Sequence, residues 1–294
     1  MTYFFLFLNF AFMIALPLVL ATYLARRYRQ DWGLFGIGAA TFIGAQLLHI
    51  PFNLLLGRWG LLSMDSGVVS ELLLLAVILG LSAGVFEEVA RYLSYRYWAI
   101  NARSWAKGLM LGAGHGGIEA MLLGFIGLAN FLFFLTVNVE RLALLVPTES
   151  LPIIRAQITS MATVGWYDAL LGALERVFAL IAHLALSVMV LQAFLRGQRG
   201  WRHIRWLLLA IAYHTLLNTV AVFAAGQWNI YVAELGVGLV ALLGLVIIRH
   251  LRDNPEEEAA MDILPAPEVS VSARPFRPVS HSPDQLDNSR FQDN

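Results

Sequence analysis

The chain has no cysteine and few charged residues. Of its 294 residues, 14% are charged and 59% are hydrophobic, whereas a soluble domain has about 25% charged and about 45–50% apolar residues. The lack of cysteine excludes thiol catalysis, cysteine-ligated zinc and disulfides. The composition also excludes a water-soluble globule. Because the apolar residues come in long runs, it indicates a multi-pass membrane protein.

Several runs are long enough to cross a bilayer, which takes about 20 mainly apolar residues. The sequence predicts about seven spans, over residues 4–24, 32–56, 68–95, 107–137, 169–195, 206–225 and 230–248. The predicted fold is therefore all-α, a polytopic transmembrane helical bundle. Residues 147–166 are too polar to span, and we expect an interfacial helix or cap there, on the outer side.

The formal net charge of +0 hides two parts of opposite charge. Residues 253–294 hold nine acidic residues and three arginines, a balance of −6, which leaves 17 basic and 11 acidic residues, or +6, in 1–252. This basic excess is too spread out for a nucleic-acid groove, so we expect no nucleic-acid partner. We predict a transmembrane domain over 1–252 and a disordered acidic cytoplasmic tail over 253–294, because the tail has too few large apolar residues to bury.

The basic residues alternate between the two sides of the predicted bundle. One set of loops and helix ends holds twelve of them: Arg26, Arg27, Arg29, Arg96, Arg103, Lys107, Arg196, Arg199, Arg202, Arg205, Arg249 and Arg252. The other set holds three: Arg58, Arg141 and Arg155. Since cytoplasmic loops are rich in Lys and Arg, we predict an outer N-terminus and a cytoplasmic C-terminus.

Four of the predicted spans carry polar side chains four residues apart, on one helix face. These are Glu87 and Arg91 with Glu88 between them, His115 and Glu119, His183 and Ser187, and His214 and Asn218. An ionisable group in hydrocarbon costs about 2.5–3.5 kcal/mol, so such groups usually face the bundle interior. Chains that only hold helices together more often use Ser, Thr or Asn.

The depth of these groups follows from the helical rise of 1.5 Å per residue, measured from the nearest cytoplasmic charge. The resulting heights are about 13 Å for Glu87 above Arg96, about 12 Å for His115 above Lys107, about 13 Å for His214 above Arg205 and about 20 Å for His183 above Arg196. Separate helices therefore place carboxylates and imidazoles in one layer in the inner half of the membrane.

Such a layer has the components of a metal-assisted hydrolase. Three neutral imidazoles are the commonest protein ligand set for catalytic zinc and leave one position for water, and a nearby carboxylate can take the proton of that water. The glycines around His115 permit close approach of another backbone or of an extended substrate strand. The structural alternative is strongest for His183, as a hydrogen-bonded core residue.

Other polar residues near the spans are assigned structural positions. We expect His49 to be structural or interfacial, and Glu175 and Arg176 to form an ion pair near the outer boundary. Glu71 and Glu234 lie near predicted outer helix ends, where we expect them to be solvated.

The polar motifs resemble those of the YhfC family of bacterial membrane proteins, which are regarded as intramembrane metallopeptidases. That family is placed beside the CAAX-processing and bacteriocin-processing (CPBP) proteases and the PrsW-type proteases. The resemblance covers about residues 68–222. It is carried by EEVARY at 87–92, HGGIEA at 115–120, Glu175-Arg176 leading to His183, and the stretch from His214 to Asn218.

The resemblance implies a glutamate-dependent intramembrane endopeptidase that cuts membrane proteins or peptides in the bacterial inner membrane. It makes Glu87 the water-activating base, oriented by Glu88 or Arg91, and it matches His115 and His214 to a metal or oxyanion site. The predicted catalytic residues are Glu87, Glu88, Arg91 and Asn218, and the predicted zinc ligands are His115, His183, His214 and Glu119.

Two departures from related patterns bear on these roles. CAAX proteases commonly place the arginine one residue further from the glutamates than Arg91 stands, and the His-Glu-x-x-His pattern of soluble zinc proteases is absent. The motifs leave open whether the site uses zinc or only polarises water with Glu and His.

Three other functions are compatible with the sequence. A proton- or metal-coupled transporter would use the same residue types, although we detect no internal repeat and no polar path to the outer side. A haem-b protein could use His183 and His214 as axial ligands. A non-catalytic scaffold with a protease-like fold is the third alternative.

Overall fold

The computed structural model describes residues 1–62, 67–137, 146–196 and 201–252. These residues contain α-helices and two 3-10 turns, Thr148–Ser150 and Asp168–Leu170, and no strand. The helices are α1 (Thr2–Tyr28), α2 (Trp32–Arg58), α3 (Val69–Tyr97), α4 (Trp105–Thr136), α5 (Leu151–Thr163), α6 (Leu171–Leu195), α7 (Trp201–Gln227) and α8 (Ile230–His250).

Seven of the described helices, all except α5, are long and apolar enough to cross a membrane. The predicted all-α multi-pass architecture is therefore confirmed, with every span found within a few residues of its predicted bounds. Helix α5 lies inside the predicted non-spanning stretch 147–166. The predicted tail 253–294 lies outside the described residues, and the sidedness of the bundle stays a prediction.

Local sequence signals explain where several helices begin and end. The side chain of Asp31 accepts a hydrogen bond from the backbone N–H of Gly33 at the start of α2. Ser104 caps α4 through the N–H of Lys107 at 3.4 Å, and Asn229 caps α8 through the N–H of Val232 at 3.1 Å. These side chains satisfy backbone donors that lack a partner within the helix, and they fix the register of the spans that follow.

Helix α6 is the central helix of the bundle. Of its most apolar stretch 67% is buried, against at most 33% for the other spans. Helix α6 packs against α4, α7 and α8, while α3 packs against α2 and most extensively against α7. The helices α3, α4 and α7, which carry predicted site residues, all contact α6, which carries His183.

Glycines allow two of these helix pairs to approach closely. A Cβ atom on Gly112 would lie 2.8 Å from the backbone O of His183, and one on Gly116 would lie 2.7 Å from Cδ2 of the same histidine. On α3, a Cβ on Gly80 would lie 2.7 Å from the backbone O of Thr215. This is the small-residue packing of membrane helices. Gly112 thus receives the backbone of α6, and Gly116 receives the side chain of His183.

Candidate functional site

Glu88 and Arg91 form a fully buried ion pair on α3. Both side chains are 0% exposed, and Nη1 of Arg91 donates to Oε1 and Oε2 of Glu88 at 2.7 and 2.5 Å. Nδ1 of His214 donates to the same Oε1 at 2.8 Å. Because a buried charge is tolerated only when it is paired and hydrogen-bonded, this contact joins α3 to α7 and fixes the ring of His214.

Glu87, the neighbouring residue, faces a different set of groups. Its Oε1 accepts a hydrogen bond from Nε2 of Gln46 on α2 at 3.0 Å. Its Oε2 lies 3.1 Å from Nε2 of His115 on α4 and 3.9 Å from Nε2 of His214. Since Nδ1 of His214 carries the proton donated to Glu88, the Nε2 of a neutral His214 ring has a free lone pair directed toward Glu87.

His183 connects this group to a second buried carboxylate. Nη2 of Arg91 donates to Nδ1 of His183 at 3.1 Å, and because arginine only donates, the proton of a neutral His183 ring lies on Nε2. That Nε2 donates to Oε2 of Glu119 at 2.8 Å. The other oxygen of Glu119 accepts from Nη1 of Arg176 at 2.6 Å.

The network continues to the predicted outer end of the bundle. Nη2 of Arg176 donates to Glu175 at 2.5 Å, and the Glu175 side chain is 43% exposed. The predicted Glu175–Arg176 ion pair is confirmed, whereas the expected lack of a polar path in this direction is wrong.

Glu87, His115 and His183 form a buried group that can hold a metal ion. Each offers a ligand atom, and these atoms all lie within 4.8 Å of one another. The ring centroid of His183 lies 5.1 Å from that of His115 and 5.7 Å from that of His214. Nδ1 of His115 is buried with no hydrogen-bond partner among the described residues. Imidazole nitrogens and carboxylate oxygens are the donors of zinc sites, so these residue types fit such an ion. His115 offers a free lone pair, whereas His183 offers one only after Arg91 releases its Nδ1.

The same geometry argues against haem. The His183 and His214 rings meet edge to face at 83°. The cavity that both histidines line is only about 70 Å³, which is far too small for a porphyrin.

Two cavities meet at this group. A polar cavity of about 70 Å³ lies among α3, α4, α6, α7 and α8, and Asn218 lines it one turn beyond His214. A second cavity of about 440 Å³, mostly apolar, lies between α2 and α4. Glu87 and Glu119 line both cavities.

The predicted site residues are thus brought together. Hydrogen bonds connect Glu88, Arg91, His214, His183 and Glu119, and a second set connects Glu87 to His115. The two sets meet where Nε2 of His214 lies 3.9 Å from Oε2 of Glu87, and Asn218 lines the adjoining cavity.

The prediction that His183 lies higher above the cytoplasmic end than His115 and His214 is wrong. Nδ1 of His203 lies 2.6 Å from the backbone O of Ala193, so these two residues are level. Counted from them, His183 and His214 are ten and eleven residues away, or about 15 and about 16.5 Å. Arg196 and Arg205, the original reference points, stand at different depths.

Sequence reasoning missed Gln46 and misplaced Glu234. Gln46 belongs to a polar stripe with His49 and Asn53 on one face of α2. Nδ1 of His49 lies 3.2 Å from Oε1 of Gln46, and Nδ2 of Asn53 lies 2.9 Å from Nε2 of His49. The i, i+3, i+7 spacing of this stripe was the available signal. Glu234, expected to be solvated, is only 7% exposed.

Comparison with known proteins identifies the family of the chain. The model of a family described as the YhfC intramembrane metalloprotease family matches residues 12–237, which include every predicted site residue. The chain belongs to the YhfC family. It is similar to a Bacillus subtilis (strain 168) protein named "Uncharacterized membrane protein YhfC", with 31% identity over 224 residues, 74% of this chain and 83% of that protein. No solved structure matches the chain.

Proposed function

We propose that the protein is a zinc-dependent intramembrane endopeptidase that hydrolyses peptide bonds of membrane-associated polypeptides. The observation that carries the proposal is the convergence of Glu87 with His115 and His183, whose ligand atoms lie within 4.8 Å of one another inside the bundle. Structural polar contacts between membrane helices need no such group, because Ser, Thr or Asn would serve. The description of the family supports the same activity.

Glu87 acts as the general base. Gln46 holds its Oε1 at 3.0 Å, which leaves Oε2 directed at His115 and His214. A water molecule beside Oε2 can give up a proton to Glu87 while its oxygen bonds to the substrate carbonyl carbon. The carbon–nitrogen bond then breaks, and the proton on Glu87 passes to the leaving nitrogen.

Of the three converging residues, His115 and His183 would hold the ion, and Glu87 would stay free as the base. His214, whose Nε2 lies 3.9 Å from Oε2 of Glu87, would be the third imidazole, and Glu119 would fix the His183 ring. Nε2 of His214 and Nδ1 of His115 have uncommitted lone pairs, whereas His183 must first release the hydrogen bond from Arg91. A bound zinc ion lowers the pKa of its water and polarises carbonyl oxygens.

Glu88 and Arg91 act as positioning residues. The carboxylate of Glu88 accepts the Nδ1 proton of His214 at 2.8 Å, which sets the tautomer and leaves Nε2 free. Carboxylates commonly orient metal-binding histidines in this way. Asn218 lines the cavity beside His214 and is placed to donate to the substrate oxygen as negative charge develops there.

The direct test is cleavage of a library of membrane-spanning peptides by the purified protein in lipid vesicles, analysed by mass spectrometry. We expect Glu87→Gln to lower the cleavage rate by about 10²–10⁴-fold, as for loss of a general base. Glu71→Gln, on the exposed start of the same helix, is the matched control and should cleave like the wild type.

Absence of cleavage by the wild type across a broad library would overturn the proposal. Unchanged cleavage by Glu87→Gln would equally overturn the role of Glu87. Gln46→Asn, which keeps the amide but shortens its reach, should give an intermediate rate if the orientation of Glu87 matters.

A further inference from the structure

The cavity between α2 and α4 reaches from exposed apolar side chains on these two helices to Glu87. Its walls are apolar and exposed: Leu47 is 72%, Ile50 is 55% and Ile126 is 58% exposed. Its inner end is formed by Gln46, Glu87 and Glu119. An apolar molecule in the bilayer can therefore enter from the side without crossing a polar surface.

Water has a separate route to the same carboxylates. The polar cavity beside α6, α7 and α8 is lined by Glu175, Arg176 and Asn218, and it also reaches Glu87 and Glu119. Glu175 is partly exposed, so this cavity connects toward one end of the bundle. Hydrolysis in a membrane needs an apolar substrate and a water molecule at one carboxylate, and the two cavities supply them from different directions.

We propose that the cavity between α2 and α4, which we name the side groove, binds a short apolar stretch of a polypeptide that enters laterally from the bilayer. This inference rests on the proposed function and specifies its substrate: a transmembrane or membrane-inserted polypeptide presented from its apolar side.

The chemistry of the groove favours a polypeptide over a lipid chain. The inner end presents an amide and two carboxylates, which a peptide backbone can approach with its own N–H and C=O groups. An acyl chain would bury its methylene groups against these polar atoms and satisfy none of them. Apolar side chains of the peptide would meanwhile lie against Leu47, Leu122 and Leu123.

The size of the groove limits how much of the polypeptide enters. A helix about 10 Å wide that rises 1.5 Å per residue fills about 120 Å³ per residue, so 440 Å³ holds about one turn. A whole spanning helix does not fit. The bound stretch is therefore short, about one helical turn.

The absence of native cysteine makes disulfide cross-linking a clean test. Leu47→Cys places a thiol in the groove, and Leu239→Cys, 60% exposed on α8, is the matched control outside it. The hydroxyl of Tyr213 donates to the backbone O of Val240, so Leu239 stands close to the level of His214. Both variants also carry Glu87→Gln, so the probe stays intact.

The probe is a Leu/Ala peptide of about 20 apolar residues with lysines at both ends and one central cysteine. In vesicles we expect about tenfold more cross-linking at Leu47→Cys than at Leu239→Cys, the ratio that about 1.4 kcal/mol of preferential binding gives. Equal cross-linking at the two positions would overturn the proposal. So would stronger labelling of Leu47→Cys by a thiol-bearing acyl chain than by the peptide.

Cross-linking and cleavage can fail separately. Cross-linking needs neither a metal ion nor turnover. If the peptide cross-links preferentially at Leu47→Cys but the wild type cleaves no peptide, the binding site is supported and the peptidase activity is contradicted. If the wild type cleaves peptides but cross-linking shows no preference for Leu47→Cys, the peptidase activity is supported and the binding site is contradicted.

Discussion

Glu87 and Glu88 are adjacent in the sequence, yet their surroundings differ in a way that separates anchoring from chemistry. Glu88 is 0% exposed and receives three donor contacts from Arg91 and His214. Glu87 is held on one oxygen by Gln46, and it lines both cavities.

One helix thus supplies a carboxylate that joins α3 to α7 and, one residue earlier, a carboxylate within reach of substrate and water. Two adjacent buried acidic residues in a membrane protein can therefore have different roles. We therefore expect changes around Glu88, whose oxygens are both hydrogen-bonded, to affect stability most. Changes around Glu87, which lines both cavities, should affect the cleavage rate most.

The largest expected effect on stability comes from the Glu88 side. Arg91→Ala leaves the Glu88 carboxylate buried without its cation, which should lower the free energy of unfolding by about 3–5 kcal/mol. Denaturant unfolding in detergent micelles measures this. The exposed Arg96→Ala on the same helix is the control and should change stability by no more than about 0.5 kcal/mol. Equal losses of unfolding free energy from Arg91→Ala and Arg96→Ala would contradict a structural role for the Glu88–Arg91 pair.

The contact between α4 and His183 should give a smaller loss. A methyl group on Gly116 would lie 2.7 Å from Cδ2 of His183. Overpacking costs about 1–3 kcal/mol, while helix propensity returns about 1 kcal/mol. We therefore expect Gly116→Ala to lower the unfolding free energy by up to about 2 kcal/mol and to weaken zinc binding.

Gly44→Ala is the matched control on α2, because a Cβ there meets nothing within 4 Å. It should keep or slightly raise stability. Tight zinc binding by Gly116→Ala would show that the position of His183 is unimportant for the site.

The smallest effect on stability should come from the Glu87 side. Gln46→Ala removes one hydrogen bond beside an open cavity, where water can replace the lost amide. We expect a loss of about 1 kcal/mol in unfolding free energy but about a tenfold lower cleavage rate, because Oε1 of Glu87 is no longer oriented. The exposed Leu48→Ala on the same helix should leave the rate unchanged. If the cleavage rate of Gln46→Ala falls only as far as its folded fraction falls, Gln46 has a structural role and does not orient Glu87.

Much of the fold was predictable because membrane spans need long apolar runs, and each span lies within a few residues of its predicted bounds. The meeting of Glu87, His115 and His214 was also predictable, since helical rise places them at one depth. The spacing of Gln46, His49 and Asn53 marks one polar face of α2, but the sequence does not show that this face packs against α3, and Gln46 was therefore missed. The link from Arg176 to Glu119 was missed for the same reason, because helix rotation is decided by packing.

The most direct measurement is the zinc content of the protein purified in detergent, determined by elemental mass spectrometry for the wild type, His115→Ala and His250→Ala. His250 is exposed at the end of α8 and serves as the control. We expect about one zinc ion per chain in the wild type and in His250→Ala, loss of the ion from His115→Ala, and loss of cleavage when a chelator removes it. A wild-type protein that holds no stoichiometric metal and cleaves peptides at the same rate in chelator would contradict the metal site.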